Sequence, residues 1–236
     1  MSLTHPSPNF GERRGGARVD LVVLHYTAMP SCAAALERLC DPVAEVSAHY
    51  LIDGDGSVLS LVDEAARAWH AGAGAWRGAG DVNSRSIGIE LANTGWEPFA
   101  EPQMAALERL LAGVLERHGL GPETVIGHSD MAPERKGDPG PRFDWRRLAL
   151  QGLAIWPEDA LAAPPAQPAP TGHAEDHARF LADLRAFGYP EASAETLLTA
   201  FRLRFRPWAR GPLDGTDLAL AEGLRRFGID GSRADA

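Results

Sequence analysis

A loop containing a histidine, a lysine and an aspartate is the part of this chain best suited to chemistry. His128 follows a short apolar run, Lys136 lies eight positions later, and Asp138 lies two positions beyond the lysine. Glycines and prolines interrupt the segment 127–141, so the sequence predicts a loop here rather than a regular element. Such a loop can present two metal ligands and a cation on the same side of the molecule.

A second histidine, His25, ends another apolar run at residues 21–24. A single histidine at a strand end is more often a hydrogen-bonded structural residue than a ligand. Two such histidines can lie side by side at one edge of a sheet, and Asp138 adds a carboxylate unless it only makes a turn before proline. Two histidines and one aspartate form the ligand set of a catalytic zinc site that keeps one position open.

Glu90 lies on a predicted strand whose alternation places Ile87, Ile89 and Leu91 on the opposite face. A carboxylate on an apolar strand is costly to bury without a partner. Glu90 therefore lies either on a solvated face or beside the metal, where it would take a proton from a zinc-activated water. Lys136 is either a loop charge or a cation that faces the developing oxyanion of an acyl-transfer reaction.

Short apolar segments and helical patterns alternate over the first 157 residues, which indicates an α/β fold. Strands are predicted at 19–25, 49–53, 57–62, 86–92 and 124–127, and helices at 31–39, 101–118 and 144–151. Residues 67–80 are rich in glycine and are predicted to form a surface loop. The tryptophans in such loops, Trp69, Trp76 and Trp96, could stack on sugar rings or be partly buried.

The composition changes near residue 160, where proline and alanine predict a stiff linker over residues 161–172. Three helical patterns follow at 174–187, 193–206 and 214–227. We therefore predict a larger domain over residues 1–160, the linker over 161–172, and a small three-helix domain over 173–236.

The charge of the chain argues against a basic nucleic-acid-binding face. The 236 residues include 23 Lys and Arg against 32 Asp and Glu, a formal net charge of −9, and no basic cluster longer than a pair. The sequence contains no apolar run of signal-peptide or membrane-span length. We expect a cytoplasmic monomer, or a periplasmic or outer-membrane lipoprotein if a leader has been removed.

Five motifs in this order resemble the zinc-dependent N-acetylmuramoyl-L-alanine amidases of the AmpD/AmiD type, the amidase type 2 group related to peptidoglycan recognition proteins. The resemblance spans roughly residues 18–157. The motifs are His25 with its apolar run, residues 47–52, residues 67–72, Asn83 with residues 86–91, and residues 127–140.

This resemblance implies a central mixed β-sheet flanked by helices, with Zn²⁺ held by His25, His128 and Asp138. It implies catalytic roles for Glu90 and Lys136. The positions that match residues lining or supporting the substrate site are His49, Trp69, His70 and Asn83.

The implied reaction is hydrolysis of the amide between the lactyl group of N-acetylmuramic acid and the L-alanine of a stem peptide. The partners would be peptidoglycan fragments, including the anhydro-muropeptides of recycling. The last 65 or so residues resemble, more loosely, the helical domain of AmiD-like members, which is similar to peptidoglycan-binding domains. Two other readings are a muropeptide-binding protein that does not cut and a purely structural zinc clamp.

Overall fold

The computed structural model describes residues 4–157 and 173–228, and its centre is a five-stranded sheet. Four of its strands run parallel and one edge strand, β4, runs antiparallel to β3, so the sheet is mixed, as predicted. A separate two-stranded ribbon joins β1 (Phe10–Gly11) to β5 (Arg67–Ala68). The sheet strands, in spatial order, are β4 (Val58–Ser60), β3 (Tyr50–Ile52), β6 (Ser86–Leu91), β2 (Leu21–Tyr26) and β7 (Val125–Gly127).

Helices flank this sheet and continue after the predicted linker. The bounds of α3 are those that the sequence predicts, and Ser31 and Asp144 cap α1 and α5 by accepting backbone hydrogen bonds from Ala34 and Arg147. The helices are α1 (Cys32–Cys40), α2 (Val82–Arg85), α3 (Glu101–His118), α4 (His128–Met131), α5 (Trp145–Leu150), α6 (Ala174–Phe187), α7 (Ala194–Phe205) and α8 (Gly215–Leu224).

The two faces of the sheet are covered by different helices. Alternate residues of β2, Val22 and Leu24, pack with Leu107 and Leu111 of α3 in one apolar cluster. The other alternate residues face the opposite side, where α6, α7 and α8 supply the covering side chains. The linker predicted at 161–172 lies outside the described residues, and the proposed domain boundaries stay a prediction.

The surface loop predicted at residues 67–80 is wrong in two respects, because Arg67–Ala68 form strand β5 and because Ala68, His70, Ala71 and Trp76 are buried. The indole packs edge-on against Phe187 of α6, with ring centroids 5.3 Å apart, and against Tyr189 at 5.2 Å. Trp76 belongs to the same apolar cluster as Val23 and Ile126 of the sheet. It is therefore part of the core and cannot stack on a sugar ring.

A buried ion pair also joins the last helices to the sheet. Arg204 of α7 donates from Nη1 to Asp130 Oδ2 at 2.7 Å, and Tyr189 donates its hydroxyl to Asp130 Oδ1 at 2.5 Å. The backbone N–H of Gly127 donates to the same carboxylate at 2.8 Å. Asp130 thus connects the C-terminal helices with the turn that follows β7.

Candidate active site

Three ligand atoms converge where β2 ends and α4 begins. His25 Nδ1 lies 2.9 Å from His128 Nδ1 and 2.8 Å from Asp138 Oδ2, and His128 Nδ1 lies 3.0 Å from the same oxygen. All three residues are buried. His25 is brought there because β2 and β7 are adjacent parallel strands, so their carboxyl ends meet at one edge of the sheet.

A series of hydrogen bonds determines which ring nitrogen of His25 carries the proton. The Ser86 hydroxyl donates to the carbonyl oxygen of Val82 at 2.6 Å, so its oxygen accepts from Nε2–H of His70 at 3.1 Å. The unprotonated Nδ1 of His70 then accepts from Nε2–H of His25 at 3.0 Å. This leaves the Nδ1 lone pair of His25 directed at Asp138 and His128.

A hydrogen bond to a backbone carbonyl likewise determines which ring nitrogen of His128 carries the proton. Its Nε2 donates to the carbonyl oxygen of Ala71 at 2.9 Å, which leaves Nδ1 unprotonated. Asn83 holds this carbonyl in place, because its Oδ1 accepts from the backbone N–H of His70 at 3.0 Å and of Ala71 at 2.8 Å. Arg135 adds a further hydrogen bond to the Ala71 carbonyl.

The convergence of these atoms fits a divalent metal ion. Burial is the main cause that lowers the pKa of His25 to about 4, despite the neighbouring Asp138, so the imidazole is neutral near pH 7. Two imidazole lone pairs and a carboxylate oxygen, all within 4.8 Å of one another, therefore face each other without a proton to share. A cation removes this mutual repulsion, and two nitrogens with one oxygen suit zinc among the common metals.

Glu90 lies beside the ligands on the neighbouring strand. It is the register partner of His25, so both side chains point to the same face of the sheet. Its Oε2 is buried and accepts no hydrogen bond from the described residues. Burial raises the pKa of Glu90 to about 8, with Asp138 raising it further and Lys136 opposing the rise. A carboxyl group in a cleft with one oxygen buried and unpartnered is typical of a catalytic acid or base.

A cleft of about 410 Å³ opens onto these residues, and we call it the histidine cleft. Lys136 lies on its rim with an exposed side chain, and the half-buried Trp69 forms part of its wall. Besides these two, its lining includes Tyr26, His25, His70, Glu90, His128 and Asp138. The cleft is large enough for a sugar ring and part of a peptide.

Two other predicted site residues lie behind the histidine cleft and do not line it. His49 is completely buried, accepts from the backbone N–H of Gly88 at 2.9 Å and donates to the carbonyl of Ala66 at 3.2 Å. Asn83, also buried, holds the backbone at 70–71 as described above. Both residues therefore support the site through the backbone.

Gly88 is required by the close approach of His70 to the sheet. A Cβ added at residue 88 would lie 2.4 Å from Cγ of the His70 ring. Only glycine therefore lets this ring lie flat enough on β6 to reach both Ser86 and His25. Three further residues support the site and carry no distinctive sequence pattern: Ser86 at the start of β6, Asp130 in α4 and Arg135 in the turn that follows.

Comparison with known proteins adds to this geometry. Residues 15–141 match the family described as N-acetylmuramoyl-L-alanine amidase. The chain is 37% identical to N-acetylmuramoyl-L-alanine amidase AmiD of Escherichia coli K12, over 90% of this chain and 85% of that protein. It is 35% identical to 1,6-anhydro-N-acetylmuramyl-L-alanine amidase AmpD of Enterobacter cloacae, over 61% of this chain and 86% of that protein.

Solved structures agree along nearly the whole length. The complex of E. coli AmiD with anhydro-N-acetylmuramic acid-L-Ala-D-γ-Glu-L-Lys superposes with a TM-score of 0.80 at 34% identity, covering 98% of this chain and 94% of that one. AmpDh3 of Pseudomonas aeruginosa in complex with an anhydromuramic pentapeptide gives 0.75 at 31% identity, covering 92% and 95%. With the matched residues, the mixed sheet and the two-histidine, one-aspartate cluster in agreement, this chain belongs to the N-acetylmuramoyl-L-alanine amidase family.

Proposed function

We propose that the protein is a zinc-dependent amidase that separates muramic acid from its stem peptide. The bond cut is the amide between the lactyl carbonyl of N-acetylmuramic acid, with or without the anhydro ring, and the nitrogen of L-alanine. The observation that carries this proposal is the convergence of the three unprotonated ligand atoms beside the unpartnered oxygen of Glu90. AmiD and AmpDh3, the similar proteins, were solved with anhydromuramyl peptides, and we extend that substrate class to this chain.

His25, His128 and Asp138 would hold the zinc ion. When bound, zinc would supply Lewis acidity that polarises the scissile carbonyl and lowers the pKa of a water molecule. Glu90 would accept a proton from the attacking water and return it to the nitrogen of L-alanine as the C–N bond breaks. In the metal-free protein burial raises the pKa of Glu90 to about 8. The positive charge of a bound zinc ion would lower this pKa, so that the carboxyl group could both lose and gain a proton near neutral pH.

Lys136 would act on the charge that develops during attack. Its ammonium group is at the rim of the histidine cleft, where it can approach the oxygen of the scissile carbonyl as negative charge builds up. Trp69, in the wall, offers an apolar ring to the sugar or to the peptide. All three ligands and Glu90 come from one chain, so we also propose that a monomer is sufficient for activity.

The proposal is tested with a soluble anhydro-N-acetylmuramyl tripeptide as substrate. We expect the zinc-loaded protein to release the free peptide, measured by liquid chromatography and mass spectrometry. Chelation should abolish release and added Zn²⁺ should restore it. Glu90→Gln should lower kcat by at least about 100-fold, the effect of removing a general base, whereas the exposed Glu116→Gln should behave as wild type.

The same assay tests the two other readings. If the zinc-loaded wild type binds the muropeptide and leaves it intact, the protein is a binding module and the amidase proposal fails. If chelation unfolds the protein, as followed by circular dichroism, and the loaded form has no activity, zinc is a structural clamp.

A further inference from the structure

A second groove, next to the histidine cleft, is lined by two exposed tryptophans and two arginines. Its volume is about 510 Å³, and we call it the tryptophan groove. Trp96 comes from the loop after β6 and is 87% exposed, and Trp208 comes from the loop after α7 and is 68% exposed. Arg142 and Arg210 complete its functional lining, with glycine and proline between them.

The ring of Tyr26 lies between the histidine cleft and residues that line the tryptophan groove. Tyr26 lines the histidine cleft. On its other side it packs against Gly95 and Gly140, so closely that a Cβ added to either glycine would lie 2.8 Å or 3.0 Å from the ring. Gly95 also lines the tryptophan groove, and Gly140 is followed directly by Pro141, another of its lining residues. The tryptophan groove therefore lies next to the histidine cleft, with the ring of Tyr26 between the two.

The lining of the tryptophan groove is positively charged in a protein with a net charge of −9. No aspartate or glutamate lines it. Arg210 is held by its own loop, since Nη1 donates to the carbonyls of Pro207 at 2.9 Å and Ala209 at 2.8 Å. Within the described part of the chain, neither Arg142 nor Arg210 forms an ion pair with a carboxylate. Both guanidinium groups are thus available to an anionic ligand.

These features fit a sugar polymer that carries carboxylates. The flat C–H faces of pyranose rings pack on indole rings, and the exposed position of both indoles leaves the polar sugar edges in water. Guanidinium groups pair with carboxylates in a defined geometry. A glycan strand of N-acetylated amino sugars carries a carboxylate on the sugar itself only where its lactyl group is free, because an intact stem peptide converts the lactyl carboxylate into an amide and places its own carboxylates further along the peptide.

We propose that the tryptophan groove binds the part of a glycan strand from which stem peptides have already been removed. The inference rests on the proposed function, because that hydrolysis creates the ligand. Water adds hydroxide to the lactyl carbonyl and a proton to the L-alanine nitrogen, and the products are a lactyl carboxylate and a free peptide amine. The two indoles pack on sugar rings of this product, and Arg142 and Arg210 pair with its carboxylates.

The test compares two strands that the enzyme cannot cut. One is a peptidoglycan glycan strand stripped of its peptides, which has lactyl carboxylates, and the other is a chitin oligosaccharide of similar length, which has none. Affinities of the full chain are measured by isothermal titration calorimetry. We expect the stripped strand to bind more tightly, and this preference to shrink as salt is added.

Variants assign the preference to particular side chains. Trp96→Ala with Trp208→Ala should weaken binding of both strands about tenfold, as truncation of a contacting tryptophan does at other interfaces. Arg142→Gln with Arg210→Gln should weaken binding of the stripped strand about fivefold, as expected for exposed ion pairs, and leave the chitin oligosaccharide unaffected. Leu150→Ala and Arg18→Gln remove an exposed apolar and an exposed basic side chain outside the groove and serve as controls.

Equal affinity of the wild type for the two strands would overturn the proposal, as would undiminished binding by the double tryptophan variant. The unfolding temperature of each variant shows whether a loss of binding reflects a loss of fold. Hydrolysis of the soluble anhydromuramyl tripeptide is measured separately. If the protein cuts this substrate and does not bind stripped strands, the proposal for the groove fails and the amidase proposal stands. If the protein binds stripped strands and does not cut the substrate, the amidase proposal fails.

Discussion

Ser86 determines which nitrogen of His25 is free, although the serine itself is outside the ligand set. Its hydroxyl proton is engaged by the Val82 carbonyl, so the oxygen can only accept from His70. His70 in turn accepts from Nε2–H of His25. Partners of this kind fix the tautomer and ring orientation of metal-binding histidines.

Ser86→Ala is expected to lower zinc affinity about 10- to 100-fold, the usual effect of losing such a partner. Without the serine oxygen, His70 can rotate or change tautomer and no longer holds Nε2–H of His25. Affinity is measured by competition with a chromophoric chelator. Ser57→Ala removes an exposed serine hydroxyl and should have no effect; unchanged zinc affinity in Ser86→Ala would remove the serine from this role.

The sequence indicated that His25, His128 and Asp138 converge better than it indicated which residues support them. His25 and His128 could be recognised because each ends an apolar run, and adjacent parallel strands bring such ends together. Ser86 could not be recognised, since its role depends on the path of the chain around residue 70. His49 is a second example. Its sequence motif predicts a histidine that lines or supports the site, but only the fold shows that its ring nitrogens bind backbone groups, those of Gly88 and Ala66.

At the scale of secondary-structure elements, the carboxylate of Glu64 joins the end of α3 to the sheet. Tyr50 of β3 donates to Oε1 at 2.6 Å, and Arg117 near the end of α3 donates to the same oxygen at 2.6 Å. His118, the last residue of α3, lies 2.8 Å from Oε2. The sequence predicted both α3 and the strand at 49–53, but Glu64 lies between elements, where no periodicity marks it as a contact.

This arrangement predicts that Glu64 stabilises the fold only above acidic pH. Burial alone would raise the pKa of Glu64, but hydrogen bonds from Arg117, Tyr50 and His118 outweigh burial and lower it to about 2, from an ordinary value of 4.5. The unfolded chain therefore binds the proton first as the pH falls. The stabilisation is complete above about pH 5 and is lost progressively as the pH falls toward 2.

Urea unfolding of the wild type and of Glu64→Gln, at pH 7 and at pH 3, measures this dependence. The difference in free energy of unfolding between the two proteins should be larger at pH 7. Comparing the two proteins cancels the titration of other carboxyl groups, and Glu116→Gln provides a matched exposed control. A difference that does not change with pH would contradict the assignment.

At the scale of the whole molecule, the C-terminal helices and the sheet share one core. Phe187, Phe201 and Phe205 lie in the same cluster as Val23 and Ile126. The apolar periodicity of these helices predicted their existence and their bounds to within a few residues. It could not predict where they dock, because an apolar stripe shows that a helix face is buried without showing which surface covers it.

Arg204→Ala is expected to destabilise the whole molecule by about 3–5 kcal/mol, because it leaves the charge of Asp130 buried without its ionic partner. Arg204 also lies 4.3 Å above the ring of Trp145, so this packing is lost as well. The free energy of unfolding in urea measures the effect. Arg185→Ala breaks an exposed pair with Glu191 and should change stability by no more than about 0.5 kcal/mol.

A double variant separates the energetic contribution of the ion pair from that of the side-chain volume lost in Arg204→Ala. Asp130→Asn combined with Arg204→Met should be less destabilised than the sum of the two single changes, since neither charge is then left alone. Strict additivity would show that the two side chains are energetically independent.

The Asp130–Arg204 pair also has a consequence for synthesis of the chain. The two residues are separated by 74 positions. The ribosome therefore completes the strands of the sheet, Asp130 and the loop that contains Asp138 well before it adds Arg204. During that interval the nascent chain carries an unpaired carboxylate and the uncovered apolar face that includes Trp76 and Ile126. Its final helices must leave the exit tunnel before that face is closed, and chaperones have their main opportunity to bind in this interval.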